Sequence, residues 1–334
     1  MGEDSLRIGL IGLGSMGRHH ARVIRATPGM ELVAVADPGG DRFGVAGPLP
    51  LLPDVEALIG VGLDAAVVAV PTIHHEEVAL ALARAGVHTL VEKPIAHCSR
   101  AGRRVADAFA ERDLVGAVGY VERCNPALRA LRERLDAGEL GQVYQVLTRR
   151  QGPFPARISD VGVVKDLATH DVDLAAWVAD ASYESIYART SRRSGRPHED
   201  MMVASGVLTG GILVNHLVNW LTPYKDRTTI VTGERGALVA DTAMGDLTFY
   251  ENGHAPLQWD AIAAFRGVSE GQVVRYALTK REPLALEHER FRDAITGAGG
   301  EHVTMDEALD NLRVIEAILA SAASGRAIDM TGRP

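Results

Sequence analysis

Short apolar segments alternate with segments of helical periodicity up to about residue 120. Five of these segments are almost continuously apolar, which is typical of strands buried on both faces of a parallel sheet. They lie at 6–11, 32–36, 65–70, 87–91 and 114–118, and helical patterns occur at 15–26, 76–85 and 99–112. The alternation predicts an α/β, doubly wound parallel sheet. Segment 38–53 is rich in Gly and Pro, so we expect a loop where such folds usually have a helix.

The pattern changes near residue 122. Beyond it, apolar and polar positions alternate in several segments separated by turn residues, which predicts a mostly antiparallel open sheet. The predicted strands are 143–150, 186–190, 202–209, 212–221, 228–231, 237–239 and 247–250, and the predicted helices are 126–137, 169–178, 286–295 and 306–321. We therefore expect a dinucleotide-binding domain at residues 1–122 and an α+β domain for substrate binding and oligomerisation at 123–334.

Composition and charge exclude several classes of protein. The 334 residues are 46% hydrophobic and 23% charged, which is ordinary for a globular chain. A net charge of −8 argues against sequence-independent binding of nucleic acid. Cys98 and Cys124 lack the spacing of a disulfide framework or a zinc site, and we expect no metal. With an acidic start and no apolar run of about 18 residues, a cytoplasmic protein without a membrane partner is expected.

A glycine-rich turn directly follows the first predicted strand and opens the first predicted helix. Its sequence is Gly12-Leu13-Gly14-Ser15-Met16-Gly17, the G-x-G-x-x-G fingerprint of a Rossmann nucleotide site. Asp37 ends the second strand, where a carboxylate can accept hydrogen bonds from both hydroxyls of a ribose and would repel a 2′-phosphate. The sequence therefore favours NAD over NADP. NADP stays an alternative, because the segment after Asp37 lacks the helix that such folds usually have there.

Lys93 lies just past the carboxyl end of the fourth strand, the edge that lines the ligand crevice in open α/β sheets. Only four of the 35 basic residues are lysines, so arginine supplies most plain positive charge in this chain. Lysine, unlike arginine, can exchange a proton when its environment changes its pKa. Asp166 and His170 are four residues apart, a spacing that places them on one face of a helix.

Four motifs resemble those of a known family, and they occur in that family's order. They are Gly12-x-Gly14-x-x-Gly17-x-x-His20, Val70-Pro71-Thr72-Ile73-His74-His75, Glu92-Lys93-Pro94, and Asp166-x-x-x-His170 within Val164–Asp173. Together they resemble the glucose–fructose oxidoreductase / inositol dehydrogenase (Gfo/Idh/MocA) family over essentially the whole chain. The resemblance implies an NAD(P)-dependent oxidoreductase whose cofactor contacts Gly12, Gly14, Ser15, Met16, Gly17, Asp37, Val70, Pro71, His75, Glu92 and Lys93.

The same resemblance implies a catalytic set of Lys93, Asp166 and His170. His170 would accept the hydroxyl proton during oxidation, and Lys93 would polarise the developing alkoxide or carbonyl. Asp166 would orient the imidazole or bind the substrate, and Lys93 and His170 could exchange roles. The substrate-binding residues implied are Lys93, Tyr120, Arg123, Asn125, Arg157, Asp166 and His170.

Three short segments indicate which class of substrate the enzyme binds. Val121-Glu122-Arg123-Cys124-Asn125-Pro126 and the segments 152–158 and 219–225 resemble a branch that includes UDP-N-acetylglucosamine 3-dehydrogenases. That branch implies hydride transfer at carbon 3 of a nucleotide sugar. Cys124 and Lys165 depart from its pattern, so a free polyol dehydrogenase, such as one for inositol, and a 3-ketosugar reductase stay open. A cofactor-binding regulator without turnover is the alternative from another class.

The carboxy-terminal sheet also predicts self-association. Alternation over 212–220 places one set of mostly apolar side chains on a common side: Ile212, Val214, His216, Val218 and Trp220. A sheet with one uncovered apolar face pairs readily with a second copy. We therefore expect a homodimer or a homotetramer. His19 and His216 receive no role from the sequence.

Overall fold

The computed structural model describes residues 5–155, 161–253 and 269–332. By its internal contacts the chain divides into two units, Met1–Cys124 with Glu282–Arg313, and Asn125–Arg281 with Val314–Pro334. A segment from the carboxy-terminal region therefore belongs to the first unit, which a single division at residue 122 did not predict. Sequence periodicity identifies helices, but it does not show which sheet a distant helix packs against.

The first unit is built on a six-stranded parallel sheet with the order β3-β2-β1-β4-β5-β6. Its strands are β1 (Leu6–Ile11), β2 (Met30–Ala36), β3 (Leu51–Leu52), β4 (Ala65–Val68), β5 (His88–Glu92) and β6 (Gly116–Gly119). The strand order reverses between β1 and β4, and ligands of such sheets bind beside the carboxyl ends at this point. The predicted doubly wound parallel sheet is confirmed.

Helices cover this sheet on both faces, which explains why β1 and β4 are apolar at consecutive positions. The helices of the first unit are α1 (Ser15–Ala26), α2 (Val55–Ile59), α3 (His75–Arg84), α4 (Ser99–Ala110), α7 (Pro283–Thr296) and the first part of α8 (Met305–Ser324). Ile8, Leu10, Val67 and Leu90 are fully or almost fully buried in one of its two apolar clusters.

The segment after β2 contains no regular helix before α2. Its conformation depends on Asp41, whose carboxylate accepts hydrogen bonds from the backbone N–H groups of Phe43, Val45 and Ala46. These bonds lower the pKa of Asp41, with that from Ala46 contributing most. The predicted loop over 38–53 is present, except that Leu51 and Leu52 pair with β2 as the short strand β3.

The second unit contains a nine-stranded sheet with the order β14-β13-β12-β11-β7-β10-β9-β8-β15. Its strands are β7 (Val143–Pro153), β8 (Tyr183–Ser191), β9 (Met201–Leu208), β10 (Ile212–Asn219), β11 (Leu221–Gly233), β12 (Gly236–Asp241), β13 (Asp246–Gly253), β14 (Ser269–Tyr276) and β15 (Ile328–Asp329). Neighbouring strands pair antiparallel, apart from β7 and β10, which pair parallel. The predicted mostly antiparallel sheet is confirmed, and β14 and β15 were not predicted.

Two helices of the second unit, α5 (Pro126–Asp136) and α6 (Thr169–Ala179), pack their apolar residues into the core of this sheet. Residues 314–318 of α8 join the same core. Val214, His216 and Val218 on β10 are also buried, as is Trp220 directly after the strand. The set of side chains expected to form a free apolar face is therefore mostly core, because helices cover that side of the sheet.

The opposite side of the second sheet is exposed. Leu213 and Leu217 on β10, Val203 on β9 and Tyr187 on β8 have between 37% and 54% of their surface accessible. Leu217 pairs directly with Val203 across the two strands. The second sheet does have an uncovered apolar surface, as the alternation predicts. The alternate residues of β10, Leu213 and Leu217, contribute to it, and not the set that includes Val214 and Val218.

The segment after α7 lies along the edge of the first sheet. Val118 in β6 donates its N–H to the carbonyl oxygen of Val303 at 2.9 Å, and Ala117 and Thr304 form an antiparallel bridge. This segment therefore pairs with part of β6 from outside the parallel sheet. No helix within 5–155, 161–253 or 269–332 has both the length and the apolar character needed to cross a membrane.

Candidate active site

The fingerprint turn joins β1 to α1 in a form that only glycine permits at two positions. Gly12 has a φ of 92°, and a Cβ there would lie 2.5 Å from the backbone of Ala69. A Cβ on Gly17 would lie 2.0 Å from the carbonyl oxygen of Gly12. Around Gly14 the opposite holds, because no atom lies within 4 Å of an added Cβ. The turn is thus tightly packed at Gly12 and Gly17 and open at Gly14.

The N-terminus of α1 opens from this turn. Gly14 occupies the N-cap position and provides no side chain to bind the first backbone N–H groups of the helix. Such groups, together with the helix dipole, form a binding site for phosphate. The space above Gly14 and the uncapped helix fit the pyrophosphate of a dinucleotide.

Asp37 lies beside the fingerprint turn, immediately after β2. Its carboxylate accepts the N–H of Leu13 at 2.8 Å through one oxygen and the N–H of Gly39 at 2.7 Å through the other. These bonds fix the carboxylate at the end of the strand next to β1. Each carboxylate oxygen can accept more than one hydrogen bond, so Asp37 can still bind the hydroxyls of a ribose.

His75 connects two turns at the carboxyl ends of β4 and β5. Its ring is buried, with Nδ1 2.8 Å from the carbonyl oxygen of Pro94 and Nε2 3.0 Å from that of Val70. Burial lowers the pKa of His75, against the effect of the two carbonyl groups, so the ring is neutral near pH 7. A neutral ring donates through one nitrogen at a time. His75 therefore donates to one of these two carbonyl groups at a time, and its ring lies between the Val70–Pro71 turn and the turn that contains Lys93.

The segment after β6 contains predicted site residues that have structural partners. Arg123 is buried, and its guanidinium lies 2.7 Å from Glu307. Tyr120 is among the largest fully buried side chains. Asn125 caps α5, since its side-chain oxygen accepts the N–H of Ala127 and its amide donates to the carbonyl oxygen of Thr242. Their role in binding substrate stays a prediction.

Asp166 and His170 lie where a π-helical stretch, Val164–Ala168, runs into α6. Asp166 is buried and His170 is half-buried. The four-residue spacing was expected to span a regular α-helix, so the π-helical turn is a departure from the prediction. Single π-helical turns of this kind are frequent at functional sites. Arg157, the remaining predicted site residue, lies outside the described residues.

Two groups anchor the start of this helix. Glu199 accepts the N–H of Val163 through its backbone oxygen and that of Val164 through its carboxylate. The guanidinium of Arg150 lies 3.1 Å from both carboxylate oxygens of Asp171, and both side chains are buried. The residue next to His170 is therefore held by a buried ion pair.

Two buried histidine clusters received no role from sequence reasoning. In the second unit, His216 lies between the hydroxyl of Tyr183 at 2.8 Å and that of Thr148 at 2.7 Å. In the first unit, His20 lies between His288 and Glu92. His20 is part of the fingerprint motif, which gives it no role of its own, and nothing in the sequence indicates His288. Across the described ranges, no three His, Cys, Asp or Glu side chains are grouped as metal ligands.

Comparison with known proteins agrees with this architecture. Residues 6–120 match the family model described as "Oxidoreductase family, NAD-binding Rossmann fold", and residues 128–239 match the "GFO/IDH/MocA C-terminal domain". Together the two family models match well over half of the chain. The chain belongs to the Gfo/Idh/MocA oxidoreductase family. The resemblance stated from the four motifs is confirmed.

Relatives within the family differ in their named substrates. UDP-N-acetylglucosamine 3-dehydrogenase of Acidithiobacillus ferrooxidans is 30% identical over 87% of this chain and 88% of its own length. Its crystal structure has a TM-score of 0.83 at 26% identity and covers 96% of this chain and 98% of that one. Inositol 2-dehydrogenase 2 of Saccharopolyspora erythraea is 33% identical, but over only 59% of this chain and 60% of the relative.

The cofactor follows from the family and from a solved relative. The matched amino-terminal family is NAD-binding. The structure of GenD2 from gentamicin A biosynthesis, in complex with NAD, has a TM-score of 0.82 at 25% identity and covers 98% of this chain and 97% of that one. The predictions of an oxidoreductase and of NAD as its cofactor are confirmed. The uncapped N-terminus of α1, the open space at Gly14 and the carboxylate of Asp37 fit this cofactor.

Proposed function

We propose that this Gfo/Idh/MocA oxidoreductase oxidises a ring hydroxyl of a sugar, with a nucleotide sugar such as UDP-N-acetylglucosamine as substrate and carbon 3 as the reacting position. The observation that carries the proposal is Lys93, the residue that directly follows β5 at the nucleotide-binding edge. The near full-length similarity to a UDP-N-acetylglucosamine 3-dehydrogenase supports the choice of substrate.

Lys93 and His170 receive different roles in this proposal. Oxidation of a hydroxyl releases a hydride and a proton, and bound NAD supplies the hydride acceptor. Lys93 provides a positive charge that stabilises the alkoxide as it forms. His170 takes the hydroxyl proton, and the buried carboxylate of Asp166 orients the substrate or the imidazole. The π-helical turn at 164–168 gives Asp166 a position distinct from that of a residue in regular α-helix.

A second candidate substrate is a free polyol such as inositol. It is favoured by the 33% identity to an inositol 2-dehydrogenase, against 30% to the nucleotide-sugar enzyme. The alignment with the inositol enzyme is the shorter of the two. The same Lys93, Asp166 and His170 can serve both substrates, because both reactions oxidise a secondary hydroxyl. The substrates differ in the diphosphate and the base that a nucleotide sugar carries.

The test is formation of NADH by the purified protein with UDP-N-acetylglucosamine, myo-inositol and scyllo-inositol in parallel. We expect turnover with the nucleotide sugar. We further expect Lys93→Met and His170→Asn each to lower kcat by about 10²- to 10³-fold. Lys280→Met is the matched control, because Lys280 is an exposed lysine bound to Asp246 and should leave turnover unchanged. Turnover with an inositol alone would overturn the nucleotide-sugar assignment.

We also propose that the exposed side of the second sheet pairs with a second copy of the chain. Tyr187, Val203, Leu213 and Leu217 would form the centre of that interface. A dimer mass in solution is expected for the wild type, and Leu217→Asp should convert it to a monomer because a charge would be buried on association. A monomeric wild type at micromolar concentration would contradict this.

A further inference from the structure

Two buried histidines and a mostly buried glutamate, His20, His288 and Glu92, form a hydrogen-bonded array that ends at the turn containing Lys93. His20 on α1 lies with Nδ1 2.9 Å from Nε2 of His288 on α7, and with Nε2 2.9 Å from Oε1 of Glu92. The side chains of His20 and His288 are fully buried, and that of Glu92 is 12% exposed. The other carboxylate oxygen of Glu92 accepts the backbone N–H of Lys93 at 3.1 Å.

These contacts fix the direction of one hydrogen bond and leave two arrangements for the other. Glu92 is an acceptor, so Nε2 of His20 carries the hydrogen that lies between them. If His20 is neutral, its Nδ1 is bare and Nε2 of His288 donates to it. If His20 is protonated, its Nδ1 donates, and His288 must carry its hydrogen on Nδ1 instead. Both arrangements keep every heavy atom in place.

We propose that His20 and His288 are positioning residues for Lys93 and act through the carboxylate of Glu92. This inference rests on the catalytic role proposed above for Lys93. His288 holds the ring of His20, His20 holds one oxygen of Glu92, and the other oxygen holds the peptide N–H of Lys93. Loss of the His20 bond frees Glu92 to rotate, and the Lys93 turn then loses one of the acceptors that hold it.

The electrostatic surroundings act in opposite directions on two interacting carboxyl groups, those of Glu92 and Glu287. Burial would raise the pKa of Glu92, but the hydrogen bond and charge of His20, together with Lys93, lower it overall. On α7, burial and the charge of Glu92 raise the pKa of Glu287 well above its usual value. Burial and His20 lower the pKa of His288 well below its usual value. The pKa values of Glu92 and Glu287 thus move in opposite directions, because the hydrogen bond from His20 and the charge of Lys93 offset the burial of Glu92.

The experiment compares His20→Gln with the wild type in two measurements. The first follows the ¹³C carboxyl resonance of Glu92 with pH in the resting protein, without substrate or turnover. Glutamine can replace the hydrogen bond from His20 to Glu92 but cannot become positively charged, so the titration of Glu92 should move to higher pH. The second is kcat as a function of pH, whose acidic limb should move in the same direction. At the optimum, kcat should fall by up to about 100-fold with little change in KM for the sugar.

His19→Gln is the matched control, since His19 precedes His20 on α1 and is partly exposed. It should leave the Glu92 titration and the pH profile unchanged. His288→Gln should give a smaller effect in the same direction, because glutamine can still donate to Nδ1 of His20. An unchanged Glu92 titration in His20→Gln would overturn the array itself.

The two measurements separate this inference from the proposed function. A shifted Glu92 titration with an unchanged pH profile would overturn the positioning role while the array stands. Full turnover of Lys93→Met would overturn the role of Lys93 whatever His20→Gln does. If His20→Gln does not fold, ¹⁵N spectra of the wild-type histidines decide. A scalar coupling between Nδ1 of His20 and Nε2 of His288 supports the array, and absence of the coupling overturns it.

Discussion

His20 and His216 are both buried almost completely, but their surroundings differ in charge. His20 in the first unit lies between an imidazole and a carboxylate. His216 in the second unit lies between two hydroxyl groups, those of Tyr183 and Thr148. Burial alone lowers the pKa of His216 to about 3, so this ring stays neutral at any physiological pH.

The difference shows why burial of a histidine does not by itself indicate its role. A ring surrounded by neutral partners is held in one form and contributes to packing and to hydrogen bonding in the core. A ring beside a carboxylate can carry charge in the same apolar interior. The second unit does contain buried charge, but it lies on Arg150 and Asp171 and not on His216.

The largest expected effect comes from removing one member of the buried ion pair and leaving the other in place. Arg150→Met leaves Asp171 buried without its guanidinium, so the free energy of unfolding should fall by about 3–5 kcal/mol. Urea unfolding at pH 7.5 measures it. Arg149→Met is the control, because the Arg149 side chain is 42% exposed beside Asp226 and should cost at most about 1 kcal/mol. Equal losses for the two variants would show that burial of the Arg150–Asp171 pair does not increase its effect on stability.

A smaller effect follows from the neutrality of His216. Its pKa is about 3 in the folded state, against 6.5 for an unperturbed histidine, so the unfolded chain binds a proton that the folded chain does not. Stability from this residue is complete above pH 6.5 and is lost as pH falls through the window from 6.5 toward 3. At about pH 5 the loss is roughly 2 kcal/mol.

His216→Gln removes this contribution, whereas the acid sensitivity from other histidines is common to both proteins. The difference in unfolding free energy between pH 7.5 and pH 5 should therefore be about 2 kcal/mol smaller in the variant. Denaturant unfolding at the two pH values measures that difference. Identical pH dependence in the two proteins would mean that His216 is as easily protonated when folded as when unfolded.

The smallest effect concerns the hydroxyl partners of His216. Thr148→Val keeps the shape of the side chain and removes the hydrogen bond to Nδ1, which should cost about 1 kcal/mol at neutral pH. Tyr183→Phe removes the bond to Nε2 and should cost a similar amount. Thermal unfolding checks both. A loss several times larger would indicate that the cluster acts as a cooperative network and not as separate bonds.

The first unit could be predicted from the sequence in some detail because local signals coincide there. The fingerprint lies between an apolar strand and a helix, and Asp37 follows the next strand, so each feature supports the others. The structure adds that Asp37 binds the N–H of Leu13 inside the fingerprint itself. No pattern predicts that bond, because it joins residues on two different turns.

Contacts between distant segments are what the sequence could not provide. His20 and His288 are 268 residues apart, and no periodicity relates them. In the second unit, alternation along β10 was found, but not which of its sides the helices cover. Asn125 and Arg123 were selected for their place after β6, and the structure shows an N-cap and an ion pair there. The side chains that support a site carry weaker sequence signals than the residues that do its chemistry.

The pairing of residues 303 and 304 with β6 has a consequence for the behaviour of the unfolding protein. A free strand at the margin of a sheet presents unpaired backbone groups that can recruit other chains into aggregates. At one margin of the first sheet, β3 has only two residues, and at the other, Val303 and Thr304 pair with β6. As long as α7 and the segment after it stay in place, the six strands offer little template for intermolecular β-structure. Detachment of that segment would expose β6, so the onset of aggregation on heating should report its release.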